Sequence, residues 1–281
     1  MSDDLLICTN GQEASWPAIE YGAWVASTLD APVTLLGIAE RLPAAPIDAK
    51  YPLEGIFARA VELFEQKGIR YSLEVRTGDA EEVVPQEARK SNRIVVIGRL
   101  ARPALRRFFS GRSIHRLLAE IPTPVVYVPR ACMPIKNMLV CMGGLGYEVK
   151  AEQLGIRLGA RSQAQMTLLH VAPPVDLDYP TARAEREHWR DLEKTDSLMG
   201  RNVRRALETA QVAGLTAVVK ARQGNIVEQI LAEIKEGNYD LICMGSQYSG
   251  HGLRHLYGPS VTDEIAERAA CPMLTARFEA P

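Results

Sequence analysis

Short, almost purely apolar runs recur along this chain. Each leads into a turn signal and then into a stretch whose apolar residues return at helical spacing. Leu5-Leu6-Ile7-Cys8-Thr9 runs into Asn10-Gly11, a buried strand and its turn. Ser15 and Pro17 read as the cap and first turn of a helix, with Ile19, Trp24, Val25 and Leu29 near a 3.6-residue period. Asp30-Ala31-Pro32 stops it, and Val33–Ile38 is the next strand. The stretch 42–53 holds three prolines and reads as a loop that leaves the core. A helix is predicted from Leu53 to Gln66, closed by Lys67-Gly68. A strand follows over Tyr71–Val75, then a helix over Asp79–Lys90 with acids at its start.

The pattern then repeats. Met138–Met142 followed by Gly143-Gly144 echoes Leu5–Thr9 followed by Asn10-Gly11, and Ala164–Ala172 echoes Ala31–Ala39. Asp240–Met244 echoes Arg93–Ile97, and Cys271-Pro272-Met273-Leu274 echoes Thr123-Pro124-Val125-Val126. The proline-bearing segment Arg130–Lys136 is the candidate linker, giving domains over 1–131 and 136–281. The second copy is longer mainly at 176–201, a charged stretch with helical spacing. Each half reads β-α-β-α-β-α-β-α-β. Right-handed crossovers turn that order into a five-stranded parallel sheet flanked by helices, an α/β fold. Ligands on such sheets sit at the carboxyl ends of the strands, where the strand order reverses.

The stretch Asp240–Ala276 makes that expectation concrete. Leu241-Ile242-Cys243-Met244 meets Gly245 and then a loop with Ser246, Ser249, Gly250, Gly252, Gly258 and Ser260, before a helix carrying Val261, Ile265, Ala266 and Ala269. Glycines at a strand-to-helix turn let backbone approach a ligand, and the helix start offers unpaired N–H groups to a phosphate. Arg93–Pro129 is the same unit in the first half.

Composition narrows the function classes. Over 281 residues, 47% are AVILMFWYC and 24% charged, with a net charge of −1, so there is no bulk electrostatic case for nucleic acid or an anionic membrane. No apolar run approaches the roughly 20 residues of a membrane span, and the first residues lack the basic start of a signal peptide. A cytoplasmic location is expected. Cys8, Cys132, Cys141, Cys243 and Cys271 show no C-x-x-C spacing and read as reduced thiols, mostly core. His115, His170, His251 and His255 share no metal-ligand spacing with carboxylates. There is no G-x4-G-K-[ST] loop, no lysine in either glycine loop and no G-x-S-x-G elbow, so no catalytic group is assigned. The arginines 99, 102, 106, 107 and 112 read as a solvated helix face rather than an anion site.

These residues resemble the universal stress protein (UspA) family in its tandem form. Its pattern is a first strand ending in Asp, a fourth strand followed by G-x2-G-x9-G-(S/T) and a helix, and a last strand opened by proline. The resemblance covers nearly the whole chain. It implies Rossmann-like domains of the adenine nucleotide alpha hydrolase-like type and dimerisation through the last strand. In one subgroup it implies ATP held by those glycines. It also implies a binding or regulatory role under stress rather than an established enzyme activity. In the first half Gly98 and Gly111 match the outer glycines, but Ala101 replaces the middle one, Arg112 the Ser/Thr and Asn10 the strand-end Asp. In the second half Gly245 and Gly258 match the outer glycines and Ser260-Val261-Thr262 the helix start. The loop is one residue longer, so the middle position is Gly250 or Tyr248 according to where the insertion falls, and Gly143 stands at the Asp position.

The resemblance therefore assigns ATP or another adenine nucleotide to the second half. The residues are Met142, Gly143, Val171, Met244, Gly245, Ser246, Gly250, Gly258, Ser260, Val261 and Thr262, with no metal beyond a nucleotide-associated magnesium ion. Any ATP hydrolysis is expected to be slow, without a dedicated base. The two halves are expected to pair as an internal pseudo-dimer through Val125–Val128 and Met273–Ala276, with a homodimer and an unidentified protein partner as further possibilities. Ser260 and Asp263 also form a capping-box pattern that could satisfy the helix start internally. The alternative reading follows from that and from the missing strand-end carboxylates: a non-nucleotide-binding interaction module with degenerate sites, acting through protein partners.

Overall fold

The computed structural model describes residues 4–39, 52–90, 93–99, 113–143, 148–172, 191–246 and 260–277. Two compact units divide the chain, Met1–Met133 and Pro134–Pro281.

The first unit holds strands β1 (Leu5–Thr9), β2 (Val33–Ala39), β3 (Tyr71–Thr77), β4 (Ile94–Gly98) and β5 (Val125–Val128). Its helices are α1 (Trp16–Leu29), α2 (Pro52–Gln66), α3 (Ala80–Arg89) and α4 (Ser113–Glu120). Its strands run β3-β2-β1-β4-β5, and the pairings are parallel. Apolar side chains on both sides of β1 and β4 leave these central strands wholly buried, whereas β3 is largely exposed. α1 lies over Ile7 and Val96, and α2 over Gly37, where an added Cβ would sit 2.7 Å from Phe57. Pairing puts Ile7, Leu35 and Gly37 on one face, so α1 and α2 share it. α3 reaches the opposite face.

The second unit repeats this with β6 (Asn137–Cys141), β7 (Gln165–Ala172), β8 (Thr216–Gln223), β9 (Leu241–Ser246) and β10 (Met273–Arg277). Its helices are α5 (Val149–Ser162), α6 (Leu198–Val212), α7 (Ile226–Gly237) and α8 (Val261–Arg268). The order is β10-β9-β6-β7-β8, again parallel. Both units are thus doubly wound α/β domains with a five-stranded parallel sheet, as the periodicity predicts. The duplication extends to backbone detail: α1 and α5 both end on a left-handed residue at φ 53, Asp30 and Gln163. The edge strands both close on a glycine at positive φ, Gly78 and Gly224. The sequence reading ends the ninth strand at Met244. The strand instead continues through Gly245 and Ser246, because Ala276 and Arg277 of β10 pair with them. The stretch 42–51, and most of 176–201, lie outside the described residues.

Each unit pins its edge strand with a buried glutamate. In the first, Glu87 of α3 accepts from Arg76 Nε and Lys90 Nζ at 2.7 Å each. In the second, Glu233 of α7 accepts from Lys220 Nζ and Tyr239 Oη at 2.7 Å, and from Arg222 Nε at 2.8 Å. Burial works to raise both carboxyls, but the hydrogen bonds from these partners outweigh it and hold both below their usual value of 4.5. A depressed carboxyl contributes stability that is present above the unfolded value and lost as pH falls through the folded one. Amide NMR during acid titration should show β3 and β8 loosening from α3 and α7 below about pH 4. Glu233→Gln should flatten that dependence in the second unit only. Among the described residues no helix is long and apolar enough to cross a membrane.

Candidate functional site

In the second unit the strand order reverses between β6 and β9. From β6 the chain moves to β7 on one side, while β9 lies on the other. Cys141 pairs with Met244, so Met142-Gly143 leave β6 at the carboxyl end beside Gly245-Ser246, which stay in β9 through their pairing with β10. Parallel α/β sheets open a crevice at such a point. Met142, Val171 and Met244 are buried beneath it, while Gly143 is exposed and Gly245 half-buried. The crevice is therefore surfaced there largely by backbone. His170 on β7 steadies one wall: its Nδ1 lies 3.1 Å from the Met142 carbonyl, which can only accept, so Nδ1 is the protonated nitrogen.

The start of α8 is tied to the same place. Thr262 Oγ1 donates to the Gly245 carbonyl at 3.1 Å, setting the helix N-terminus beside the end of β9. A capping box closes that N-terminus: Ser260 Oγ accepts from the Asp263 N–H at 3.2 Å and Asp263 Oδ2 from the Ser260 N–H at 3.3 Å. Two donors are thereby engaged within the chain. Of the residues assigned from sequence, Gly245, Ser260, Val261 and Thr262 are brought together with Met142 and Gly143. Ser246 is placed in β9, and Gly250, Gly258 and the alternative Tyr248 lie outside the described residues.

The corresponding place in the first unit is filled by the chain itself. Thr9 Oγ1 and Ser15 Oγ are 2.6 Å apart, the Gly11 N–H donates to Thr9 Oγ1 at 3.1 Å, and Asn10 Oδ1 accepts from the Gln12 N–H at 3.3 Å. The 3-10 turn Glu13–Ser15 packs on Gly98, where an added Cβ would meet the Ser15 Cα at 3.3 Å. Among the described residues a cavity of about 10 Å³ lies here, lined by Cys8, Thr9, Ser15, Ile97 and Gly98 among others. That is room for about one water molecule. Ala101, Gly111 and Arg112 lie outside the described residues.

The model of the universal stress protein family matches residues 1–129 and again 134–277. The chain belongs to the universal stress protein family. Universal stress protein Slr1230 of Synechocystis sp. (strain ATCC 27184 / PCC 6803 / Kazusa) is 22% identical over 308 aligned residues, covering 98% of this chain and 99% of that protein. A universal stress protein from Archaeoglobus fulgidus DSM 4304 is 16% identical with a TM-score of 0.68, over 98% of this chain and 97% of that one, which establishes the fold alone. A universal stress protein solved in complex with cAMP matches 50% of this chain at 18% identity and a TM-score of 0.39, covering 97% of that chain.

Within this tandem universal stress protein, one group beside the second crevice escaped the sequence reading. Glu148 caps α5, is 1% exposed, and its Oε2 lies 3.8 Å from where a Cβ on Gly143 would stand. One turn on, Glu152 is 0% exposed and takes two 2.8 Å bonds from the Arg205 guanidinium of α6. The i, i+4 spacing of the two glutamates was readable, but their burial and their partner 53 positions away were not. Three strand thiols lend no nucleophile. Burial pushes Cys8 and Cys243 far up and Cys141 to about 12, so none is a thiolate at neutral pH. Among the described residues no group of three or more His, Cys, Asp or Glu could hold a metal ion.

Proposed function

We propose that the second unit binds an adenine nucleotide across the ends of β6 and β9, and that the protein is a cytoplasmic stress-response regulator whose action follows occupancy of that site. The observation that carries this reading is the pair of glycines, Gly143 just past β6 and Gly245 near the end of β9, at the switch point with the start of α8 tied to one of them. The capping box leaves the Val261 and Thr262 N–H groups as the donors for a phosphate, assisted by the helix dipole. Base and sugar would lie over backbone at Gly143 and Gly245, with a magnesium ion carried on the phosphates. The role is one of binding, with at most slow hydrolysis.

Calorimetric titration of the full chain with ATP, AMP and cAMP tests it. One site per chain is expected. Gly245→Val should abolish it, and Thr262→Val should weaken it several-fold, since a lost hydrogen bond is worth about 0.5–1.5 kcal/mol. No heat from any of the three up to millimolar concentration would overturn the nucleotide reading. One observation favours the alternative of an interaction module: the Asp263 carboxylate stands at the helix start, where it opposes a second anion. The absence of heat with all three nucleotides would select that module.

A further inference from the structure

The cluster at the start of α5 holds two buried carboxyls and one guanidinium. Glu152 uses both oxygens on Arg205. Glu148 receives the Gly143 N–H and its own N–H, while its Oε1 is buried without a hydrogen-bond partner. Among the described residues the groups facing it are few. Glu152 lies on its own helix and Arg205 on α6; from β6 come the Gly143 N–H and the Cys141 thiol, which is neutral. His170 on β7 is turned to the Met142 carbonyl, and Glu233 on α7 is taken by Lys220, Arg222 and Tyr239. With both glutamates ionised the cluster would carry one uncompensated buried charge. An unpaired buried ion costs far more than a neutral hydroxyl without a partner.

We propose that the folded second unit holds a proton at Glu148 at pH values where an exposed carboxyl has already lost it, so that Glu148 is a proton-binding latch between the start of α5 and the end of β6. Burial raises the Glu148 carboxyl first, and the Glu152 charge adds to it, against the opposing pull of the two N–H groups and Arg205. Below the ordinary carboxylate range both the latched and the opened forms hold the proton, and the latch is at full strength. As pH rises the opened form ionises first, so opening is favoured by about tenfold per pH unit until folded Glu148 itself ionises. The inference does not depend on a nucleotide.

Infrared spectroscopy of the full chain in heavy water tests it. Wild type should show the carbonyl band of a protonated carboxylic acid above the ordinary carboxylate range, where exposed carboxyls are ionised. Glu148→Gln should lose that band. Glu152→Gln should lose it too, because Arg205 is then free to hold Glu148 ionised. The opening rate of the first turn of α5, from hydrogen exchange corrected for intrinsic base catalysis, should climb with pH in wild type and stay flat in Glu148→Gln. No protonated-carboxyl band above the ordinary carboxylate range in folded wild type, or a band that survives Glu148→Gln, would overturn the proposal. So would a band that titrates while opening of α5 stays constant.

Discussion

Arg205→Leu is expected to cost the second unit about 3–5 kcal/mol, the range for breaking a buried ion pair by removing one partner. The guanidinium is about one-third exposed, but Glu152 has no access to water and no second partner with which to replace both bonds. Its loss leaves two glutamates a turn apart in the interior, and both must then be protonated or expelled. The measurement is urea unfolding read by hydrogen exchange on peptides of α5 and α6, with β1 to β4 of the first unit as the internal reference. The double variant Glu152→Leu, Arg205→Leu should recover most of the loss, since apolar replacement of a whole buried pair is often neutral or stabilising. A loss below about 1 kcal/mol would mean that the pair behaves like a surface ion pair.

Gly155→Val is expected to destabilise the second unit by about 1–3 kcal/mol through overpacking. Gly155 faces β9 from α5, and a Cβ there would stand 2.5 Å from Cys243 Sγ. Alanine would gain up to about 1 kcal/mol of helix propensity at this position, yet the sulfur is wholly buried and has nowhere to retreat. Gly22 holds the same place in the first unit, where Ile7 Cδ1 and Cγ1 would lie 2.5 and 2.8 Å away, on a side chain that is also wholly buried. Gly22→Val should therefore cost at least as much as Gly155→Val. Thermal unfolding of both variants, with Gly155→Val repeated on a Cys243→Ala background, reads this out. No recovery with Cys243→Ala would contradict the contact as the cause.

The central strands were legible because strands buried on both faces are written as continuous apolar runs, as in Leu5–Thr9 and Leu241–Met244. The duplication was legible for the same reason. The edge strand β8 was harder to place. Its charged residues Lys220 and Arg222 look like loop chemistry until Glu233 is seen to take them. Gly245 was read as the end of its strand, because a glycine after an apolar run usually marks a turn. Only the pairing partner Ala276 shows that the strand goes on. The family pattern points to backbone positions such as Gly245 and Ser260 at the candidate site. Glu148 was not: a glutamate before a helix reads as solvated, and burial is set by elements distant in sequence.

The most direct test of the account is hydrogen exchange of the full chain with and without saturating ATP, resolved by peptide. Protection over 137–143, 241–246 and 260–268, with 5–11 and 94–99 unchanged, is the predicted result. Protection at the ends of β1 and β4 instead, or at neither switch point, would contradict it.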